Sequence, residues 1–157
     1  MSAVPSLQFA PRSLDSPEAL AFVEAIQRFY VEVYGDEDDD STDPDEFTPP
    51  HGLFVVGYLD GAPIACGGWR RHDERTVEVK RMWVAPQERR HGVARRLLAE
   101  LERTAVLAGH RRIVLTTGAP QRAAIAFYTA NGYLVSDARF GHYAQFDDAV
   151  FFTKQIG

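Results

Sequence analysis

The stretch Arg89 to Arg96, RRHGVARR, gathers four arginines, a histidine and a glycine at the start of an apolar-periodic segment. Val93, Leu97, Leu98 and Leu101 recur at helical spacing, so Gly92 opens a helix. The first turn of a helix presents N–H groups without intrahelical partners and the positive end of the helix dipole. No proline interrupts Arg89 to Ala94, so every backbone donor there is available, and a turn of this kind binds phosphate or pyrophosphate. The opposite charge is concentrated elsewhere. Asp36 to Glu46 carries eight carboxylates and no basic residue, and reads either as a solvated connector or as a wall that attracts a cationic substrate. HExxH, CxxC, Walker A and serine-elbow motifs are absent, so metal hydrolysis, P-loop and serine-hydrolase chemistry have no basis in the sequence and no metal site is expected.

The elements that must position this turn can be read on either side of it. Thr76 to Val84 is a strand that ends at Ala85-Pro86, where proline removes a ladder donor. Its apolar residues fall at odd positions in Val77 and Val79 but at even ones in Met82 and Val84, and a strand with one buried face cannot change phase without an extra residue. A β-bulge near Lys80-Arg81 follows. Leu53 to Leu59 and Ile64 to Trp69 are two more strands around the turn signal Asp60-Gly61-Ala62-Pro63, and Gly67-Gly68 marks a bulge or a close backbone contact. Downstream, the Gly92 helix ends near Gly109, and Ile113 to Leu115 continues as a strand to Thr117. Strand, helix and strand form a βαβ unit with parallel pairing. Further elements are a short strand at Ser6 to Phe9, a helix from Ser16-Pro17 to Gly35, a helix over Pro120 to Ala130, and strands at Tyr133 to Val135 and Val150 to Thr153. His142 and Tyr143 lie in the polar loop between those last strands, where they could line a substrate pocket, although a lone histidine in such a loop is more often solvated.

Length and composition bound the answer. The 157 residues suit one domain with one core, and 45% hydrophobic with 25% charged residues is ordinary for a globular chain. The net charge of −5 conceals a division: setting aside the eight negative charges of Asp36 to Glu46 leaves the remainder at +3. The N-terminus lacks the basic-then-apolar order of a signal peptide and no apolar run could span a bilayer, so a cytoplasmic protein without a membrane partner is expected. Cys66, the single cysteine, sits in a strand pattern and reads as a buried, inert thiol. Nucleic-acid binding through the arginines is disfavoured by the acidic segment and by the lack of interleaved aromatics.

The order of elements, together with VAPQERRHGVARRLL, resembles the GNAT superfamily of acyl-CoA-dependent N-acyltransferases. The family's Arg/Gln-x-x-Gly-x-Gly/Ala signature is met by Arg89, Gly92 and Ala94, and QRAAIAFYTANGY is similar to its Asn-x-x-Ala-x-x-Leu-Tyr-x-x-x-Gly-Phe segment. The likeness is strong from Leu53 to Tyr133 and weak on the flanks. It implies an α/β fold, a mixed, mostly antiparallel sheet of about six or seven strands with one splayed parallel pair, flanked by about four helices. It implies acetyl-CoA as co-substrate, bound by Arg89, Arg90, His91, Gly92, Val93, Ala94 and Arg95 at the pyrophosphate, and by Met82, Trp83, Val84, Thr117 and Gln121 along the pantetheine arm. Gln121 stands where the family has asparagine, and keeps the amide on a longer side chain. In the same likeness Tyr128 protonates the departing thiolate, and Glu78 takes a proton from the attacking amine, although Glu78 beside Lys80 could equally be a surface ion pair. The activity implied is N-acetyl transfer to a primary amine: a small cationic molecule, or a protein lysine or N-terminus. A homodimer is compatible with this reading. The alternative is a non-catalytic acyl-CoA sensor on the same fold.

Overall fold

A computed structural model describes residues 6–38, 40 and 42–157. Strand β1 (Leu7–Pro11) leads into helix α1 (Pro17–Tyr34), and β2 (Gly52–Leu59), β3 (Ala62–Arg71) and β4 (Thr76–Val84) form an antiparallel meander. Helix α2 (Val93–Leu107) then crosses to β5 (Arg112–Gly118), and α3 (Arg122–Ala130), β6 (Leu134–Val135) and β7 (Ala149–Gln155) complete the chain. Three short 3-10 turns, at Pro44–Phe47, Pro86–Glu88 and His142–Gln145, supplement the three α-helices among the described residues. The strands form a single seven-stranded sheet in the order β1-β2-β3-β4-β5-β7-β6, with β4 and β5 as its parallel pair.

Local chemistry sets most of the boundaries. Ser16 Oγ accepts from Ala19 N at the start of α1, Pro17 occupies its first turn, and Gly35 closes it in the left-handed region at φ 81°. Asp60 and Gly61 both have positive φ, at 49° and 85°, as a two-residue hairpin turn requires. The strands therefore run closer together than the sequence suggests, with Ala62 and Pro63 already paired to Leu59 and Tyr58.

The phase slip in β4 is a bulge. Cys66 of β3 pairs with Trp83 while Gly68 pairs with Lys80, so Gly67 faces the extra residue, and Arg81 adopts φ 61°. Val77 and Val79 before the bulge, and Met82 and Val84 after it, consequently reach the same core cluster. Gly68 also makes the close contact its residue type implies, because a Cβ there would lie 2.7 Å from the carbonyl oxygen of Leu53.

The sheet divides the core in two. On one face Leu97, Leu98, Leu101 and Ala105 of α2 pack on Val77, Val79, Ile113 and Leu115, with Ile125, Phe127 and Tyr128 of α3 against the same cluster. On the other, Ile26 of α1 packs with Phe47, Phe54, Val56 and Cys66. Burial pushes the Cys66 thiol well above its ordinary value, consistent with an inert side chain. No helix among the described residues is long and apolar enough to cross a membrane.

Helix α2 tests this assignment. Leu101 is fully buried and Leu107 is 74% exposed on the same helix. Leu101→Ala should cost about 2–5 kcal/mol of unfolding free energy in urea titration, and Leu107→Ala under about 0.5 kcal/mol.

Candidate functional site

Parallel pairing of β4 with β5 lasts for three residue pairs, Thr76 with Arg112, Val77 with Ile113 and Glu78 with Val114, and then stops. Beyond Glu78 the strands separate, with the Arg81 bulge on one side and Thr116, Thr117 and Gly118 on the other. Side chains from both strands line a cavity of about 140 Å³ in the gap, together with Tyr128 of α3 and Tyr143. A larger cleft of about 830 Å³ continues outward between Met82, Trp83 and Val84 of β4 and Gln121, Phe127 and Tyr128 of the α3 region, and reaches Arg89, Arg90 and Ala94. The sequence-derived binding residues Met82, Trp83, Val84, Gln121, Arg89, Arg90 and Ala94 thus border one continuous space, while Thr117 lines the inner cavity.

The basic turn has the geometry of an anion cradle. Arg90 and Gly92 are both in the left-handed region, at φ 68° and 79°, which turns successive N–H groups toward one side. Gly92 caps α2 without a side-chain bond. Among the described residues, nothing accepts from the backbone N–H of Arg90, His91, Gly92, Val93, Ala94 or Arg95. The arginines differ in what they do. Arg89 donates from Nε to the Val84 carbonyl at 2.9 Å and stacks over Trp83 at 4.6 Å, so it ties the end of β4 to the turn. Arg96 donates to the Leu7 carbonyl at 3.2 Å and anchors β1. Arg122, at the N-terminus of α3, also lines the large cleft; its position among alanines at a helix start was its only mark in the sequence.

Tyr128 lies at the junction of the two cavities. Its hydroxyl is 3.8 Å from Met82 Sδ, and its ring meets those of Tyr133 and Phe152 at 5.7 and 5.8 Å. Burial, with a smaller contribution from Tyr30, pushes the phenol far above its ordinary value, so it carries its proton throughout the neutral range. Gln121 donates from Nε2 to Tyr34 Oη at 2.8 Å.

Glu78 faces the inner cavity and its Oε1 accepts from Arg70 Nε at 3.0 Å. The ion pair it makes is therefore buried and formed with Arg70, whereas Lys80 turns to Asp40. The acidic segment is a wall built on these cations. Asp40 meets Lys80 and Arg70, and Asp38 Oδ2 accepts from Arg81 at 3.4 Å while Asp38 Oδ1 accepts from Tyr143 Oη at 2.5 Å. Asp36, Glu37 and Asp148 border a third cavity of about 360 Å³ with the rings of Tyr30, Tyr34, Tyr143 and Phe146. Tyr30 lines all three cavities from α1, where it reads in the sequence as one more apolar-face residue. Burial, then the charge of Asp38, pushes its phenol up to about 12.

A mixed sheet opened between its parallel strands, beside a helix start rich in unengaged N–H groups, is the framework of the GNAT acetyltransferases. The chain belongs to that family: the sequence profile described as Acetyltransferase (GNAT) family matches residues 19–133. It is 29% identical over 154 residues to an IAA acetyltransferase of Azospirillum brasilense, spanning 98% of this chain and 100% of that protein. A Klebsiella pneumoniae structure classed as an acyl-CoA N-acyltransferase superposes with a TM-score of 0.80 at 26% identity, over 96% of this chain and 98% of that one. A GNAT family acetyltransferase from Elizabethkingia anophelis, solved with acetyl-CoA bound, shares the fold at a TM-score of 0.70 and 15% identity, over 96% and 98% of the two chains.

The wall has a pH signature. Burial by itself would push the Asp40 carboxyl up, but the hydrogen bond and charge of Lys80, joined by Arg70, outweigh it and hold the carboxyl below its ordinary value. A carboxyl depressed by folding stabilises the fold above its unfolded pKa of about 3.9, and the contribution disappears as pH falls through the lower folded value. Asp40→Asn should be less stable than wild type at pH 7, with the gap closing below about pH 4. Urea midpoints that run parallel from pH 7 to pH 2 would remove Asp40 from the wall.

Proposed function

We propose that the protein is an N-acetyltransferase that moves an acetyl group from acetyl-CoA to a primary amine. The observation that carries this reading is the continuity of the large cleft, from Arg90 and Ala94 on the turn with its unengaged N–H groups to Tyr128. An elongated ligand with an anionic end and a reactive end fits that path. Its pyrophosphate would lie on the α2 turn, held by backbone donors and the helix dipole with His91, Val93 and Arg95 around it. Its pantetheine arm would run along Met82, Trp83 and Val84, whose strand has no β5 partner at that level, with the Gln121 amide and Thr117 on the opposite wall. The thioester would then stand in the splay. A backbone N–H of β4 polarises its carbonyl, and Tyr128 delivers a proton to the sulfur as it leaves.

The acceptor enters from the other side. A cavity bordered by Asp36, Glu37 and Asp148 together with four aromatic rings favours a small cationic amine, since carboxylates and ring faces both attract a positive charge. A lysine side chain or an N-terminus offers the same nucleophile. Glu78 on β4 is one group able to take a proton from that amine, with Arg70 fixing its orientation.

Two variants test the assignment. Gly92→Glu forces a side chain onto a residue at φ 79° and places a negative charge in the turn, so CoA binding should be lost by calorimetry. Unchanged affinity would refute the pyrophosphate placement. Tyr128→Phe should lower kcat for CoA release over a panel of amines by about 10²–10⁴-fold with little change in the KM for acetyl-CoA. Binding of acetyl-CoA without turnover on any amine would identify a sensor instead.

A further inference from the structure

We infer that Tyr143, backed by Asp38, is the group that takes the proton from the acceptor amine. The proposal rests on the N-acetyltransferase reading above and assigns the proton transfer that this reading leaves to Glu78. Tyr143 lines both the carboxylate-bordered cavity and the inner cavity that Tyr128 also lines, so one side chain borders the entry side for an amine and the space beside Tyr128. That hydroxyl donates to Asp38 Oδ1 at 2.5 Å. Its lone pairs remain to accept from an N–H in the cavity. Asp38 is itself fixed: Oδ2 accepts from Arg81, and its backbone N–H and C=O both bond the Gln27 side-chain amide, at 2.8 and 3.0 Å. The carboxylate is 4% exposed and accepts from both the Arg81 guanidinium and the Tyr143 phenol.

Glu78 is less well placed for the same task. An arginine holds its Oε1 as one holds Asp38 Oδ2, but unlike Asp38 and Tyr143 it does not line the carboxylate-bordered cavity. The groups facing Tyr143 are Asp38 and Asp40 from the acidic wall, Lys80 over its ring at 4.7 Å, Arg81 beside Asp38, Tyr30 from α1, and His142 against its ring. Burial, and then the bond to Asp38, pushes the phenol far above its ordinary value. Tyr143 therefore acts as a neutral relay and not as a free phenolate.

The protons balance as follows. A bound ammonium gives one proton to Tyr143 Oη while Tyr143 gives its own to Asp38 Oδ1, and Asp38 releases it to solvent. The freed amine then forms the N–C bond to the thioester carbonyl carbon, and the C–S bond breaks with its electron pair going to sulfur. Tyr128 protonates the sulfur, and the second proton lost from nitrogen restores Tyr128. The products are the amide, CoA thiol and one proton.

The test compares wild type, Tyr143→Phe, Asp38→Asn and Glu78→Gln, with CoA release measured against pH on amines of graded pKa. Tyr143→Phe keeps the ring over Lys80 and removes only the relay oxygen. Its kcat/KM should fall about 10²-fold at pH 7 on amines of high pKa and recover tenfold per pH unit toward the amine's own pKa. On amines already neutral at pH 7 the loss should be below about tenfold, a dependence that a merely structural role would not produce. Asp38→Asn should reproduce this pattern if urea unfolding shows it folded, and Tyr143→Phe decides alone if it does not. A Tyr143→Phe enzyme with the wild-type pH profile, or a Glu78→Gln enzyme that shows the amine-dependent loss in its place, would overturn the assignment while leaving the acetyltransferase reading intact. Wild type that binds acetyl-CoA and shows no amine-dependent CoA release on any amine would overturn the acetyltransferase reading and the relay with it.

Discussion

The separation of β4 from β5 after three residue pairs is the constraint on which the rest of the structure depends. A continuous parallel pair would satisfy its own backbone groups and leave no gap. The bulge at Arg81 prevents continuation, because an extra residue bends the strand and increases its local twist just beyond the last paired position. The same extra residue returns Met82 and Val84 to the core face, so the fold keeps a continuous apolar layer under a sheet that is open above it. Opening and packing are two results of one insertion.

Charge closes one side of that opening. β4 places Lys80 and Arg81 in the interior, where an unpaired cation would cost several kcal/mol. Asp38 and Asp40 neutralise them, and in doing so draw the acidic segment across the splay. Part of the acidic run is thus spent inside the protein, and part, at Asp36 and Glu37, borders a cavity. The segment behaves as a counterion layer with a cavity wall on its outer side.

Much of this framework was legible from local pattern. Ser16-Pro17 and Gly35 bound α1, Asp60-Gly61 sets the hairpin, and the parity change between Val79 and Met82 locates the bulge, because each is a short-range requirement of backbone geometry. The basic turn was legible for the same reason. The ionic wall was not: Arg81 and Asp38 are 43 residues apart, Tyr143 and Asp38 are 105 apart, and no period records which carboxylate meets which cation. Tyr30 and Arg122 were missed because a tyrosine on an apolar helix face and an arginine at a helix start look alike whether or not they border a cavity. The alternative of a fully solvated acidic connector failed at Asp38 and Asp40, whose partners lie far along the chain.

The strand order carries a consequence for how the molecule is made. β7 is the last strand along the chain, yet it lies between β5 and β6 and pairs with all seven residues of β5 from Arg112 to Gly118. During synthesis the edge of β5 that bears Thr116 and Thr117 stays unsatisfied until Ala149 to Gln155 have emerged, and non-local pairing of this kind is slow to form. The β1 to β4 meander pairs strands that are neighbours in the sheet and emerge first, but one wall of the splay is secured only when β7 inserts. The cleft is then a late product of folding.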